Sequence, residues 1–494
     1  MLFNSYIFLF AFLPLTLIAV WLSRRYSRNA AIVVLIVAST IFYSWLVPAH
    51  LFLLLGSAVF NYVVALRICN SEKHADEFLW LGVTANLVLL GVFKYLDFLI
   101  GTVNSSLATE WTLTHILLPL GISFFTFQQI AFLVDARRGE ANVPALPEYL
   151  LFVSFFPQLI AGPIVHHREI LPQLRSEQFA VLTSKTMVLG LAWLAIGLAK
   201  KTLIADQIAQ ISDKAFGAAS LADATPSFFE AWFGALAFAF QIYFDFSAYS
   251  DMAIGLGIMF GVLLPLNFAA PYRATSIIEF WHRWHMTLSR FLRDYLYFAL
   301  GGNRKGTFRR YTNLMTTMAL GGLWHGAAFT LVIWGALHGV YLMVNHVWRR
   351  LGFPLPAFIG WALTMMAVCF AWTLFRADDL DTAIRMIEGM VGLNGVKLAQ
   401  DHFELIGPLG AALASVGVVF EGPPVVRLTH FPLFFGLIVF VLIAPTTQKL
   451  LSWSSPEKPA FRQLGVPAGL AAGVLLGIAI LGIGDASQFI YFQF

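Results

Sequence analysis

The sequence predicts an all-α polytopic membrane protein, and three observations predict it. Of its 494 residues, 59% are hydrophobic and only 12% are charged, against about 25% charged in ordinary soluble domains. Apolar runs long enough to cross a bilayer, about 20 residues each, recur from one end of the chain to the other. Basic residues gather at alternate ends of the early runs, as the positive-inside rule requires.

The runs fall near residues 6–22, 30–47, 50–67, 78–93 and 113–134, and then near 186–204, 228–244, 250–266, 328–347, 355–375, 432–446 and 465–484. They suggest about ten to twelve spans. The first run starts at Met1-Leu2-Phe3 without a basic leader and is followed at once by another, which reads as a retained span and not a signal peptide. Arg24, Arg25 and Arg28, then Arg67 and Lys73, then Arg137 and Arg138 close the odd runs, which puts those ends in the cytoplasm and the N-terminus outside. The loops at 47–50 and 101–110 carry no Lys or Arg, with Lys94 a little before the second.

Simple parity then fails. Three full crossings between 186 and 266 would leave the basic stretch Arg273 to Arg310 outside. A broken helix is therefore expected between Phe152 and Phe268, where Pro157, Pro163, Pro265 and Pro271 interrupt apolar sequence. No repeat or low-complexity linker divides the chain, so residues 1–494 read as one membrane domain ending in a tail at 485–494. Residues 378–401 carry Ala383, Ile384, Ile387 and Met390 at helical spacing, which predicts an amphipathic surface helix. The two cysteines, Cys69 and Cys369, suggest neither a disulfide framework nor a metal site. A net charge of +4 is ordinary for short basic loops and gives no reason to expect nucleic acid as a partner.

Chemistry concentrates in three places. His325 puts an ionisable ring in an otherwise apolar stretch from Met315 to Val340, where such a group is costly without a partner or a wet cavity. Gly321, Gly322 and Gly326 flank it; each weakens a helix by about 1 kcal/mol relative to Ala, so a broken or re-entrant helix is expected here. A histidine hydrogen-bonded within the core would fit equally well. The second place is Phe280 to Tyr297, where His285, Ser289 and Leu292 or Arg293 share a helical face, and Trp281 and Trp284 form an aromatic edge of interfacial type. Arg290, Arg293, Arg304, Lys305, Arg309 and Arg310 make its flank basic. The third is Gln241 to Asp251, in which Asp245 and Asp251 imply a polar pocket or a capped helix end.

The chain has no nucleophile elbow, no HExxH, no P-loop and no GxGxxG fingerprint. Two membrane-depth histidines with a basic mouth suit acyl transfer, in which a hydroxyl acceptor needs a base as it attacks a thioester. A proton-coupled transporter using His325, Asp245 and broken helices is the competing class. The missing inverted repeat and the histidine pair weigh against it.

Taken in order, Phe280-Trp281-His282-Arg283-Trp284-His285-Met286-Thr287-Leu288-Ser289, Gly301-Gly302-Asn303-Arg304, Gly321-Gly322-Leu323-Trp324-His325-Gly326 and Trp334-Gly335-Ala336-Leu337-His338-Gly339 resemble the membrane-bound O-acyltransferase family, nearest its bacterial polysaccharide-acetylating branch. Leu118 to Phe127, Tyr243 to Ser247 and Phe375-Arg376-Ala377 extend the resemblance over nearly the whole chain. It implies a ring of tilted helices around a tunnel in the bacterial cytoplasmic membrane, with His325 as the essential catalytic residue and His285 at the family's second polar position. Asp245, Ser289, Arg293 and Trp324 are the candidates for substrate contact. No bound cofactor or metal is expected. The implied donor is acetyl-CoA, and the implied acceptor an exported polysaccharide such as alginate, reached through a secreted or membrane-anchored partner protein. Peptidoglycan, cellulose and D-alanylated teichoic acid are the alternative acceptors. The tail Ser487 to Phe494 offers one phenol among phenylalanines; Tyr491 is expected to accept the acetyl group as an ester and pass it on, or to dock the partner, unless it is an interfacial anchor.

Overall fold

A computed structural model describes residues 1–71, 73–420, 427, 429–456, 463–484 and 489–490. The expected all-α class holds, although fewer helices reach span length than the ten to twelve expected: almost every element is a helix, and the described strands are two short parallel ones, Val396–Leu398 beside Val418–Phe420. Six helices are long and apolar enough to cross a membrane, by length and composition among the described residues. They are α1 (Phe8–Tyr26), α3 (His50–Asn70), α4 (Ala75–Leu107), α7 (Ser184–Ala219), α12 (Phe329–Leu351) and α13 (Ala357–Arg376). Three apolar helices are shorter: α2 (Arg28–Ser44), α15 (His430–Ile443) and α16 (Val466–Leu481). The outer helices turn large apolar side chains outward, for example Phe10, Leu15 and Ile18 on α1 and Val466, Leu470 and Val474 on α16, as hydrocarbon solvent permits.

Three of the basic residues that close the early runs are held by partners distant in sequence. Arg24 donates to Phe179 O (3.0 Å), Arg28 pairs with Glu148 (3.7 Å), and Arg137 pairs with Asp76 (2.7 Å) at the start of α4. Arg137 closes α5 (Ile122–Arg137) and Glu148 opens α6 (Leu146–Ser154). The stretch 113–121, which had read as part of a span, is irregular up to Gly121.

The expected break is present and buried. After α6 the chain turns at Phe155, makes one short helix at Phe156–Leu159, and resumes at His167–Leu174. Backbone freed in an apolar interior must find partners. Here the carbonyl of Phe152 accepts from both the Gln128 (2.8 Å) and Gln158 (2.7 Å) amides, and Phe156 N–H donates to Ser39 Oγ (3.1 Å).

The runs at 228–244 and 250–266 do not form separate spans. They share one 32-residue helix, α8 (Phe228–Met259), with Gln241 to Asp251 in its middle. The polar stretch is therefore no helix end; Asp245 and Asp251 are buried side chains held by lysines from α7. A wide π-turn at Lys200–Ala205 aims Lys200 at Asp251 (2.6 Å) and Lys201 at Asp245 (2.9 Å). The two helices can approach this closely because Gly190 and Gly255 face each other; a Cβ on either would lie 2.6 Å from the other's carbonyl.

Beyond α8 come α9 (Ile277–Arg283) and α10 (Met286–Phe291), then α11 (Gly306–His325), which forms an antiparallel hairpin with α12. The amphipathic helix appears as α14 (Leu380–Met390), with Ala383, Met386 and Met390 buried and Ile384 half exposed.

Candidate active site

His325 is the last residue of α11, and Gly326 continues in an extended conformation (φ −169°, ψ 160°). The helix break thus lies immediately after the histidine. Gly321 and Gly322, expected to loosen the helix, lie within it and serve packing: a Cβ on Gly322 would lie 2.1 Å from Leu331 O, and one on Gly335 would lie 2.2 Å from Met318 O. The hairpin's open end carries Arg309 and Arg310 on one arm and Arg349 and Arg350 on the other, so His325 sits at the tip away from the basic mouth.

A helix that stops leaves its last carbonyls without intrahelical partners. Three are taken up here by adjacent residues of a π-turn in α4: Tyr95 OH donates to Leu323 O (2.9 Å), and Lys94 Nζ donates to Trp324 O (2.6 Å) and His325 O (3.0 Å). Edge-on contacts from Trp334 (5.2 Å) and Phe375 (5.2 Å) wall the imidazole, with Trp324 at 5.0 Å.

His285 occupies the junction of α9 and α10 in a left-handed conformation (φ 42°) that non-glycine residues rarely adopt. The segment Phe280 to Tyr297 is consequently not one helix, and the face-sharing expected of His285 and Arg293 gives way to a kink. The reason for the kink is visible in Asn267. Its Oδ1 accepts from Thr287 Oγ1 (2.6 Å) and Thr287 N–H (3.4 Å), so it is the oxygen, and His285 Nδ1 at 3.3 Å must donate to it. That tautomer leaves the lone pair on Nε2, which is buried without a hydrogen-bond partner among the described residues. The rings of His285 and His325 lie 6.4 Å apart, centre to centre, a spacing that admits one reacting atom about 3 Å from each.

Trp281 and Trp284 are not interfacial anchors. They are buried, with Trp284 4.9 Å from Trp372 and Trp281 6.0 Å from Trp334. Trp281 Nε1 donates to Nδ1 of a third buried histidine, His338 (3.3 Å).

Cavities approach the pair from two sides. On the basic side, one of about 790 Å³ is lined by His282, Thr287, Ser289, Arg293, Arg310 and His346, so Ser289 and Arg293 do come together there. Ser289 Oγ donates to Trp284 O (3.4 Å), and Arg293 pairs with Asp294 (2.7 Å). A neighbouring cavity of about 520 Å³ shares Thr287 and Arg290 with it. Away from the basic mouth, about 70 Å³ lies between Lys94, Gly121, Ser123, Trp324 and His325.

The neighbouring cavity also holds Asp135, His166 and Tyr295, with His167 close by. His166 Nδ1 accepts the Arg168 N–H (3.3 Å), which leaves the proton on Nε2 to be donated to Asp135; Tyr295 OH donates to the same carboxylate (2.7 Å). In this tautomer a metal at Nε2 would cost His166 its helix cap, while Nε2 of His167 faces the same carboxylate at 3.3 Å.

Asp245, expected to touch substrate, holds the C-terminal tail. Its Oδ1 pairs with Lys201, itself paired with Asp206 (2.9 Å), while Oδ2 accepts from Ile490 N–H (2.9 Å). Phe489 packs on Phe246 (5.7 Å) and Tyr249 (4.6 Å), and Phe246 meets His285 edge-on at 4.7 Å. Phe489 and Ile490 thus dock one ring away from the site; Tyr491 lies outside the described residues.

Sequence reasoning gave no role to three residues beside the pair: Lys94, noted only as a charge, Asn267, and His338, quoted only within a motif. The signal for Lys94 was an ammonium within a span; for His338, its place one helical turn from Trp334. Nothing local marked Asn267.

Two buried imidazoles near the tip of a helical hairpin, with a small cavity at His325 and a basic cavity opening at Met286 and Thr287 beside His285, are an arrangement suited to a multi-pass membrane enzyme of the acyl-transferring class. The chain belongs to the membrane-bound O-acyltransferase family, whose model matches residues 135–375. It is 39% identical, over all of its own length and 98% of the relative's, to a peptidoglycan O-acetyltransferase of Helicobacter pylori. It is 42% identical to a probable alginate O-acetylase of Pseudomonas aeruginosa, covering 81% of this chain and 76% of that one. A teichoic acid D-alanyltransferase of Streptococcus thermophilus is 26% identical over 47% of the chain. The protein is an O-acyltransferase.

Proposed function

We propose that the protein takes an acetyl group from a cytoplasmic thioester, acetyl-CoA, and delivers it for O-acetylation of an exported glycan, working in the bacterial cytoplasmic membrane. The observation that carries this reading is the His285–His325 pair, with the small cavity against His325 and the basic cavity lined by Met286 and Thr287, the residues that follow His285. The anionic phosphates of the donor suit the mouth at Arg293 and Arg310, which leaves the pantetheine arm to run past Ser289 and Thr287 toward the histidines.

In the transfer, an acceptor hydroxyl entering near His325 gives its proton to an imidazole as its oxygen attacks the thioester carbonyl. The C–S bond then breaks, the proton passes to the departing sulfur, and an ester and a free thiol result. His325 is the base at the acceptor, and Nε2 of His285 is the second basic nitrogen in reach; a positioned histidine contributes about 10²- to 10⁴-fold in rate. Trp324 walls the acyl group. The docking of Phe489 and Ile490 beside Phe246 supports Tyr491 as a first acceptor, whose phenyl ester a secreted or membrane-anchored partner protein would discharge onto the glycan.

Alginate and related exported polysaccharides fit the probable alginate O-acetylases among the relatives. Peptidoglycan is favoured by a separate observation, the end-to-end match to the Helicobacter pylori enzyme. The test is transfer of labelled acetyl from acetyl-CoA by the purified full-length protein. Label is expected on the protein's own tail, on the partner and on glycan, and His325→Ala is expected to abolish it while membrane insertion is kept. Wild-type transfer by that variant would refute the assignment, as full glycan acetylation by Tyr491→Phe would refute the relay.

A further inference from the structure

Lys94 is an ammonium inside α4, a helix otherwise apolar enough to span a membrane. A charge placed there is costly and calls for a partner or a function. Its partners are carbonyls of the residue pair Trp324 and His325, with Ser123 Oγ at 3.4 Å as a third contact, and the ammonium stands 6.0 Å from the centre of the Trp324 ring. The end of a helix carries partial negative charge, which a cation complements. Tyr95 caps one carbonyl, Leu323 O, with a single hydroxyl, whereas Lys94 spans two carbonyls at once and so fixes the last two residues of α11 relative to each other.

Two further features set Lys94 apart from an ordinary cap. It sits in a π-turn, Gly91–Tyr95, one of four among the described residues, and the widened turn is what presents Lys94 and Tyr95 together to the end of α11. It also lines both small cavities away from the basic mouth, the one it shares with Ser123 and His325 and a second beside Asp97, Thr114 and Ala327. Lys94 is thus at once the clamp on the end of α11 and part of the wall that an acceptor arriving from that side would meet.

We propose that Lys94 is a positioning residue for the transfer: its ammonium pins the Trp324 and His325 carbonyls, sets the imidazole at the break of α11, and makes the Lys94–Ser123–His325 cavity the subsite for the acceptor hydroxyl. The proposal rests on the acyl-transfer reading. A displacement of about 1 Å in a reacting group lowers turnover about 10²-fold, and that is the loss expected for Lys94→Met with acetyl-CoA as donor. The KM for acetyl-CoA is expected to be unchanged, because the donor enters from the other side. Lys94→Arg, which keeps the charge and the donors, is expected to recover most of the turnover.

The experiment uses the full-length protein in nanodiscs, with thiol release from acetyl-CoA as the assay and the unfolding temperature recorded for each variant. Wild-type turnover by Lys94→Met, or equal loss in the Met and Arg variants, would overturn the proposal. A second measurement needs no turnover: the rate at which diethylpyrocarbonate modifies His325, read by mass spectrometry. That rate is expected to change in Lys94→Met and to return in Lys94→Arg; an unchanged rate in the Met variant would overturn the proposal. If wild-type protein releases no thiol, the donor reading fails, and the modification rates still decide the role of Lys94.

Discussion

Asn267 Oδ1 lies 3.3 Å from Nδ1 of His285, and because the same oxygen accepts from Thr287, the imidazole proton is held on Nδ1 and the basic lone pair on Nε2. Asn267 lies in an irregular stretch between α8 and α9, so a residue outside any helix sets the chemistry of a buried ring. Its Nδ2 donates to Ser250 Oγ (3.3 Å), tying that orientation to α8.

Removing this orienting oxygen should lower activity without removing the base. Asn267→Leu is expected to reduce turnover by about 10- to 100-fold, the usual cost of losing a partner that fixes a functional histidine. Asn267→Asp, which keeps an acceptor at Nδ1, is expected to lose less. The check is steady-state turnover of both variants; equal activity in Asn267→Leu and wild type would show that the tautomer is not controlled here.

Three histidines are buried near the hairpin, and they should separate by role. His338 accepts from Trp281 Nε1 within an aromatic cluster, so His338→Gln, which supplies an acceptor, is expected to keep turnover within about threefold of wild type, a spread that corresponds to less than 1 kcal/mol. His285→Gln removes the basic nitrogen and is expected to lose about 10²-fold or more. Parallel assays of the two variants in membranes test the distinction.

The α11–α12 hairpin depends on glycine at its crossing. Gly322→Ala would push a methyl group to 2.1 Å from Leu331 O, and overpacking of this kind costs about 1–3 kcal/mol. A lowered thermal transition in detergent is expected, with activity falling in step because His325 rides on the same helix. Gly321→Ala, whose Cβ would meet only the flexible end of Leu292 at 3.0 Å, is expected to be milder. A reversed order would contradict the packing described for the hairpin.

Asp245 and Lys201 form a buried pair that also anchors the tail. Breaking such a pair from one side costs about 3–5 kcal/mol where a lone charge is left behind, but here Lys201 keeps Asp206 as a second partner (2.9 Å). Asp245→Ala is therefore expected to destabilise the protein less than the double variant Asp245→Ala with Lys201→Met, which also strips Asp206 of its lysine. Proteolysis of the tail after Ile483 should accelerate in both, since Ile490 N–H loses its acceptor. Unchanged tail protection in Asp245→Ala would separate the ion pair from tail docking.

Much of this was legible in the chain. Hydropathy gave the helical membrane class. The proline-rich interval held the expected break, and His285 and His325 stood out as rings in apolar surroundings. What misled were features with two physical uses. Glycine loosens a helix and also lets two helices touch, and at Gly322 the second use prevails. Tryptophan belongs at interfaces and also in aromatic cores, and Trp281 and Trp284 took the core. Polar residues within an apolar run can end a helix or be paired inside it, and Lys200 and Lys201 paired those of α8.

The sequence by itself determined the solvent, the secondary structure class and which groups are candidates for the chemistry, because these follow from composition, periodicity and the presence of an ionisable ring where water is scarce. Only the tertiary structure decided which groups act together. Asn267 reaches His285, Lys94 reaches the carbonyl of His325 across 231 residues, and the tail reaches Asp245 across 245. Hydrogen bonds fall off within a few tenths of an ångström, and no pattern along the chain encodes which distant residues fold to within that reach.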